Sequence, residues 1–304
     1  MRFLLVALLW LITLGTVNVA SATRSEEMTE LCQKGMANFC HYLGAMYANG
    51  EDVPQDSVKA VEFYRKACDG EGANGCFDLG LMYADGTGVT QDKFKAVEFY
   101  QKACNGQDMW GCRNLGGMYE YGTGVPRDVV KAVEFYRQAC DGGLANGCVA
   151  LGTMYAIGKS VPRDDVKAMK LHRQACNNAE ARICRQLGMG YAGFGSLGAT
   201  RDDFKAVEFY RKACDGQDAI GCGQLGIMYD KGTGVKQDSV TAVALYQQAC
   251  PSSAAYCVNL GSMYEQGKGV RQSVADALTF FGKACDLKDA DGCENYARLK
   301  TGKK

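Results

Sequence analysis

The feature that most constrains this chain is the regular spacing of its cysteines. There are 16 cysteines among 304 residues, and they form eight pairs whose members lie eight positions apart, or seven in one case. Successive pairs follow at 36 residues, with one interval of 38 and one of 35. A fixed period of this length indicates an array of small supersecondary units. Such a chain folds by stacking each unit on its neighbours instead of closing one large core.

Each period carries the same two segments, and both have the periodicity of a helix. From Cys76 to Tyr83, the apolar and small residues recur at steps of three and four, which places them on one helical face. The segment from Asp92 to Cys104 has a similar stripe, and neither segment alternates as a strand would. Between them, the sequence of residues 86–89 is Gly-Thr-Gly-Val, which is typical of a turn. The sequence therefore predicts an all-α fold of repeated helix pairs.

Two further positions recur with the period. An acidic or hydroxyl residue that can cap a helix lies four residues before the alanine of each second segment: Asp56, Asp92, Asp128, Asp164, Asp202, Asp238 and Ser273. A glycine recurs inside each first segment, where it costs about 1 kcal/mol relative to alanine. We expect helices to approach closely at these glycines: Gly44, Gly80, Gly116, Gly152, Gly188, Gly226 and Gly261.

Three motifs carry a family resemblance. The helix with Leu79-Gly80-x-Met82-Tyr83, the turn Gly86-x-Gly88-Val89 and the helix with Ala96-Val97-Glu98-Phe99-Tyr100 resemble the Sel-like repeat (SLR) family. The resemblance implies a right-handed α/α superhelical solenoid related to tetratricopeptide arrays. The cysteine spacing resembles the secreted, cysteine-rich bacterial branch of that family. We expect seven repeats over 37–289, a capping half-repeat over 23–36, and a capping helix with a tail over 290–304.

The first 22 residues have the pattern of an export signal. A positive start at Met1-Arg2 precedes an apolar run over 3–14, and Ala20-Ser21-Ala22 forms a small-x-small cleavage site. The run is too short to anchor the chain comfortably in a bilayer, and no later stretch is apolar enough to cross one. We expect a secreted or periplasmic protein in an oxidising compartment, where thiols pair.

The cysteines are expected to form local disulfides. Cys104 ends one helix and Cys112 begins the next, so a bond between them joins consecutive repeats, and closing such a loop is worth about 2.5 kcal/mol in the chain-entropy model. Two histidines in the whole chain are too few to complete a metal site at each pair. The predicted bonds are Cys32-Cys40, Cys68-Cys76, Cys104-Cys112, Cys140-Cys148, Cys176-Cys184, Cys214-Cys222, Cys250-Cys257 and Cys285-Cys293.

No reaction template is evident in the sequence, and no cofactor or metal is expected. The serine motif Ser-x-x-Lys of penicillin-recognising enzymes does not occur, and Lys300-Thr301-Gly302 matches only another of their elements. Members of the cysteine-rich SLR branch carry β-lactamase labels, so the resemblance implies that activity, although no catalytic residue can be named. Lys+Arg and Asp+Glu are 34 each, so composition gives no basis for nucleic-acid binding.

The polar side of the first helix of each repeat is the candidate binding surface. In the helix with core positions 112, 115, 116 and 119, the opposite stripe is 110, 114, 117 and 121. The resemblance implies that first helices line the concave surface of the array. We call this stripe, in all repeats, the first-helix face. Its candidate ligand-binding residues are Tyr42, Asn49, Asp78, Asp85, Trp110, Asn114, Tyr121, Gln186, Gln224, Lys231, Asn259 and Gln266.

These residues favour binding over catalysis. Amide side chains donate and accept hydrogen bonds, so a row of them suits a peptide backbone, and Trp110 and Tyr121 are natural anchors; an ordinary solvated face is the alternative. We expect a monomeric scaffold that binds a peptide, a protein or a peptidoglycan fragment, and β-lactam binding or hydrolysis is the second hypothesis. The repeat over 181–218 has two extra residues and the run 193–198, which favours a local change of curvature over a ligand-contacting loop.

Overall fold

A computed structural model describes residues 24–158, 161–177, 181–194 and 200–302. Within these ranges the chain is helical and no residue is in a β-strand, as the periodicity predicts. The chain divides into two compact units, Met1–Gly147 and Cys148–Lys304. The predicted signal segment lies outside the described residues, as do residues 195–199, which include most of the run over 193–198.

Unit 1 is built from consecutive helices that pack in pairs. The first helix of each pair contacts the second, and the second contacts the first helix of the next pair. The helices are α1 (24–33), α2 (Ala37–Asn49), α3 (Ser57–Asp69), α4 (Ala73–Asp85), α5 (Lys93–Asn105), α6 (Met109–Tyr121) and α7 (Val129–Asp141).

Unit 2 repeats the same order, and its boundary with unit 1 falls inside α8. The helix α10 ends two residues earlier than its counterparts, at Tyr191, just before the run that sets this repeat apart. The helices are α8 (Ala145–Ile157), α9 (Asp165–Asn177), α10 (Ala181–Tyr191), α11 (Asp203–Asp215), α12 (Ala219–Lys231), α13 (Ser239–Ala249), a 3₁₀ turn (Cys250–Ser252), α14 (Ala254–Gln266), α15 (Val274–Asp286) and α16 (Ala290–Thr301).

The two helices of a pair interlock through a glycine and a ring. A Cβ added to Gly80 would lie 2.7 Å from the ring of Tyr100, and one added to Gly116 would lie 2.7 Å from the ring of Tyr136. Distances that short do not occur between real side chains, so only glycine allows the ring to lie flat on the first helix. This confirms the packing reason expected for the recurring glycines. Beside each glycine, a leucine such as Leu79 or Leu115 is fully buried.

The second helices begin where the sequence predicts. The carboxylate of Asp92 accepts hydrogen bonds from the backbone N–H groups of Phe94 and Lys95 at 3.0 and 3.1 Å. The same cap precedes the other second helices, at Asp56, Asp128, Asp164, Asp202, Asp238 and Ser273. These bonds satisfy amides that the first turn of a helix leaves unpaired.

The cysteines pair as predicted. Seven bonds join cysteines seven or eight positions apart, with Cα atoms 4.4 to 4.8 Å apart, and Cys140 and Cys148 are also disulfide-bonded. No cysteine is free. Each bond links the end of a second helix to the following first helix, so the covalent links follow the order of the packing. Across the described ranges, no helix combines the length and the apolarity needed to span a bilayer.

Candidate ligand-binding face

The first-helix face of α6 shows how this surface is built. The buried Cys112 and Leu115 direct one side of the helix into the pair, and the 100° step per residue turns residues 110, 114, 117 and 121 the other way. Trp110 is 45% exposed and Tyr121 is 71% exposed. Large aromatic side chains usually lie in cores, so two on one exposed stripe make this side of α6 a candidate contact surface.

In unit 1 the same stripe runs along α2 and α4. Tyr42 is 56% exposed, Asn49 and Asp85 are exposed, and Asp78 and Asn114 are half-buried. All seven candidate residues that the sequence places in this unit therefore reach solvent. The surface carries aromatic rings, amides and carboxylates together, a composition suited to recognising a polar chain with bulky side groups.

A side-chain hydrogen bond joins the faces of two neighbouring repeats. Nε2 of His41 on α2 lies 2.7 Å from Oδ2 of Asp78 on α4, and both side chains are mostly buried. Next to it, Asp108 caps α6, and its Oδ1 accepts a hydrogen bond from the backbone N–H of Gly111 at 2.8 Å. Burial raises the pKa of Asp108, and the Asp78 carboxylate adds to that rise. Two carboxylates and one imidazole thus lie within electrostatic range at the base of the face.

The second helices also contribute to this surface, through their tyrosine hydroxyls. The Tyr136 hydroxyl donates to Oε2 of Glu120 at 2.8 Å. Burial raises the pKa of Tyr100 to about 12, and a hydrogen bond with Asn114 acts in the opposite direction. Because the tyrosine ring lies on glycine, its hydroxyl reaches the first helix of the same or the next repeat. These bonds fix the side chains of Asn114 and Glu120 and so limit the entropy lost when a ligand binds.

Unit 2 has its own first-helix face, with a different composition. Gln186, Lys231 and Gln266 are exposed, and Gln224 and Asn259 are half-buried. Gln224 donates from Nε2 to the Tyr256 hydroxyl at 3.1 Å. Arg185 and Asp218 form a largely buried ion pair at 3.1 Å. The surface of this unit is thus rich in amides, with its most buried charges paired.

Sequence reasoning overlooked several residues of these faces. Asp108 and Asp218 cap first helices, whereas the sequence predicts caps only before second helices. The pairing of His41 with Asp78 is likewise absent from the sequence predictions. The alignment of successive repeats could have indicated this contact, because His41 and Asp78 occupy adjacent positions in the repeat.

A cleft outside these faces lies on the second helices of unit 2. It has a volume of about 430 Å³ and is lined by Asp165, Val166, Met169, Lys170, Arg173 and Lys205. Within the ranges that the structure describes, no group of three or more His, Cys, Asp or Glu side chains could hold a metal ion. The described faces offer hydrogen bonds, ion pairs and ring contacts, which is the chemistry of binding.

Comparison with known families gives one clear match. A model described as "Sel1 repeat" matches residues 37–71, 73–108, 111–144, 145–179, 184–218, 219–250 and 254–289. These seven segments cover most of the chain. A search among curated proteins found no significant match.

Solved structures of repeat proteins are similar to this chain. One is c5321, a protective antigen of uropathogenic Escherichia coli with an SLR fold, at 30% identity and a TM-score of 0.67 over 90% of this chain. The chain covers 59% of the length of that protein. Another is a Sel1 repeat protein from Oxalobacter formigenes, at 26% identity and a TM-score of 0.55, with 80% of this chain and 98% of that one covered. The Helicobacter pylori cysteine rich protein B is 28% identical, with a TM-score of 0.37, over 44% of this chain and 96% of its own.

Proposed function

The chain belongs to the Sel1 repeat family, and from this premise we propose that it is an exported, disulfide-linked scaffold that binds a peptide, a protein or a peptidoglycan fragment on its first-helix face. The family and the repeat architecture support a role in protein binding. The number of disulfides is typical of proteins outside the cytoplasm, where thiols are oxidised. The segment over 1–22 would direct export and would be cleaved from the mature protein.

One observation carries the proposal. Three large aromatic side chains, Tyr42, Trp110 and Tyr121, are exposed on the first helices of unit 1. Polar side chains held by neighbouring hydroxyls lie beside them, as Glu120 is held by Tyr136. Exposed rings beside ordered polar groups are typical of surfaces where a few residues contribute most of the binding energy.

Substitution of Trp110 and Asn114 by alanine tests the placement of the site. We expect the double variant to bind a muramyl peptide at least tenfold more weakly, because an aromatic anchor contributes about 1.4 kcal/mol or more. Isothermal titration of the oxidised protein measures the affinity.

A matched control removes the same two kinds of side chain from the other side of the unit. Phe94 is 76% exposed on the second helix α5, and Gln101 is an amide on the same helix. The variant with alanine at both positions should bind like the wild type. Equal losses in the two double variants would contradict the assignment to the first-helix face.

Hydrolysis of β-lactams is the alternative that the family resemblance implies. The Lys300-Thr301-Gly302 element lies at the end of α16, where the Thr301 hydroxyl donates to the Ala297 carbonyl at 2.9 Å. That hydroxyl is engaged by its own helix, which favours a capping role. Peptidoglycan peptides share the acyl-alanyl chemistry that penicillins mimic, so β-lactam binding without turnover is compatible with the scaffold.

A chromogenic cephalosporin separates the two functions. The scaffold predicts no hydrolysis that rises in proportion to the concentration of pure, oxidised protein. Turnover that co-purifies with the protein and disappears on substitution of one side chain would establish the enzyme. Saturable penicillin binding without turnover would favour the scaffold.

A further inference from the structure

The first helices of unit 1 carry an excess of negative charge. Along α2, α4 and α6, with the cap Asp108, the carboxylates belong to Asp78, Asp85, Asp108 and Glu120. The one formally positive side chain on the same elements is Arg113. The chain as a whole has no net charge, so the imbalance is local to this surface.

These carboxylates are held in place beside the exposed rings. Asp78 is fixed by His41 at 2.7 Å and Glu120 by Tyr136 at 2.8 Å, and Asp108 is fixed by the N–H of Gly111. The ring centroid of His41 lies 6.0 Å from that of Tyr42 and 5.7 Å from that of the buried Tyr64. Asp78 is therefore close to Tyr42 through His41, and Asp108 and Glu120 are sequence neighbours of Trp110 and Tyr121 on α6.

Among the residues that the structure describes, the corresponding surface of unit 2 lacks both features. Its first helices carry Arg182, Arg185 and Lys231, which offset their acidic residues, and Arg185 is paired with Asp218. Among its described first-helix side chains, the large exposed apolar ones are aliphatic, Ile157 and Ile220. The two units thus present different chemistry on equivalent helices, although they share one repeat.

We propose that the first-helix face of unit 1 selects a peptide segment that contains several lysine or arginine residues. The inference rests on the proposed binding function and names its ligand class. Ordered carboxylates complement the cationic groups and raise the rate of association. Exposed indole and phenol rings attract the same cations through their faces, by about 0.5 to 1 kcal/mol for each contact at an open site. Asn114, beside Trp110, can bond to the peptide backbone.

Labelled decapeptides test this preference directly. The probes are fluorescein-labelled peptides with alternating lysine and alanine, with glutamate in place of lysine, and with glutamine in place of lysine. Fluorescence anisotropy with the oxidised full chain measures each affinity. We expect the lysine peptide to bind at least tenfold more tightly than the glutamate peptide. The difference should shrink as the salt concentration rises from about 50 to about 500 mM, since screening weakens exposed charge pairs.

A charge-matched pair of variants locates the effect. Asp78→Asn with Asp85→Asn removes two carboxylates from the face. Glu62→Gln with Glu134→Gln removes two exposed carboxylates from the second helices α3 and α7 of the same unit. We expect the first variant to bind the lysine peptide about five- to tenfold more weakly, as the loss of two ion pairs predicts. The second should change the affinity less than twofold.

The outcomes separate this inference from the function on which it rests. Equal affinity for the three peptides, with a loss in the Trp110 and Asn114 variant, would overturn the charge preference and retain the binding face. Equal losses in the two charge variants would show that only net charge matters and would also overturn it. Binding of none of the peptides would overturn it as well, and the muramyl peptide titration would then decide the proposed function.

Discussion

At the scale of single residues, His172 departs most clearly from the repeat. The equivalent position holds a tyrosine in most second helices and Phe281 in α15, and each ring lies on a glycine. His172 lies on Gly152 in the same way, is fully buried, and bonds through Nδ1 to the Tyr191 hydroxyl at 2.8 Å. Burial lowers the pKa of His172 from 6.5 to about 4, and nearby Lys205 adds to that effect.

This histidine makes unit 2 sensitive to acid. Between pH 6.5 and 4 the unfolded chain binds a proton at His172 that the folded chain does not bind, so stability falls as the pH falls. The loss at pH 4.5 is about 2.5 kcal/mol for a shift of this size. His172→Tyr should remove that part of the acid sensitivity and change stability little at pH 7.5. Urea unfolding at the two pH values measures it.

A second variant tests whether altered packing at position 172, and not the loss of the imidazole, explains the change in pH dependence. His172→Phe keeps a ring on Gly152 and loses the bond to Tyr191, yet it should remove the same pH dependence. Carboxylates elsewhere also titrate over this range, so the informative quantity is the difference between wild type and variant. Parallel unfolding midpoints for all three proteins from pH 7.5 to 4.5 would show that His172 is not responsible.

At the scale of elements, the turn inside each repeat is also a contact with the preceding repeat. Gly88 lies in the turn between α4 and α5 and has a φ of +70°. A Cβ at this position would lie 2.2 Å from the carbonyl oxygen of Ser57, the first residue of α3. Gly124, Gly234 and Gly269 make the same approach to Lys93, Asp203 and Ser239. The turn glycine therefore permits both the backbone conformation and the stacking.

A pair of alanine substitutions separates these two roles. Gly88→Ala should cost at least 2 kcal/mol more than Gly143→Ala, because an added methyl group at Gly88 overlaps rigid backbone. Gly143 also has a positive φ, of +88°, but its added Cβ would meet nothing within 4 Å. Urea unfolding at neutral pH gives both values. Similar losses would mean that backbone strain alone explains the turn glycines.

The elements could be predicted from the sequence because their signals are local. Cap residues such as Asp92, the buried face with Leu79 and a packing role for Gly80 all follow from spacing within one repeat. The contact between His41 and Asp78 could not be derived in this way, because it depends on how far one helix is rotated relative to the next. For the same reason, the tyrosine hydroxyls that hold Asn114 and Glu120 were missed. The candidate face was thus predicted by position, while the groups that organise it were not.

At the scale of the whole molecule, the described disulfides each join a second helix to the first helix that follows it. Replacing Cys104 and Cys112 by serine should cost about 2.5 kcal/mol in the chain-entropy model, and the effect should be local because each repeat contacts only its neighbours. Hydrogen exchange should show faster opening in α5 and α6 than in α14 and α15. A uniform rise in exchange along the chain would show that the array unfolds as one cooperative unit.

The short sequence separation of the bonded cysteines affects how such a chain forms its disulfides. Every described partner lies seven or eight positions away, so the correct bond can close as soon as a few residues follow its first cysteine. The nearest wrong partner lies 28 residues away, as Cys68 does from Cys40, and pairing with it would close a much longer loop, which entropy disfavours. Oxidation can therefore proceed in order along a growing chain without extensive reshuffling. Such an array can gain or lose a repeat by gene duplication or deletion. Each inserted repeat supplies one cysteine for the disulfide to the preceding repeat and one for the disulfide to the following repeat.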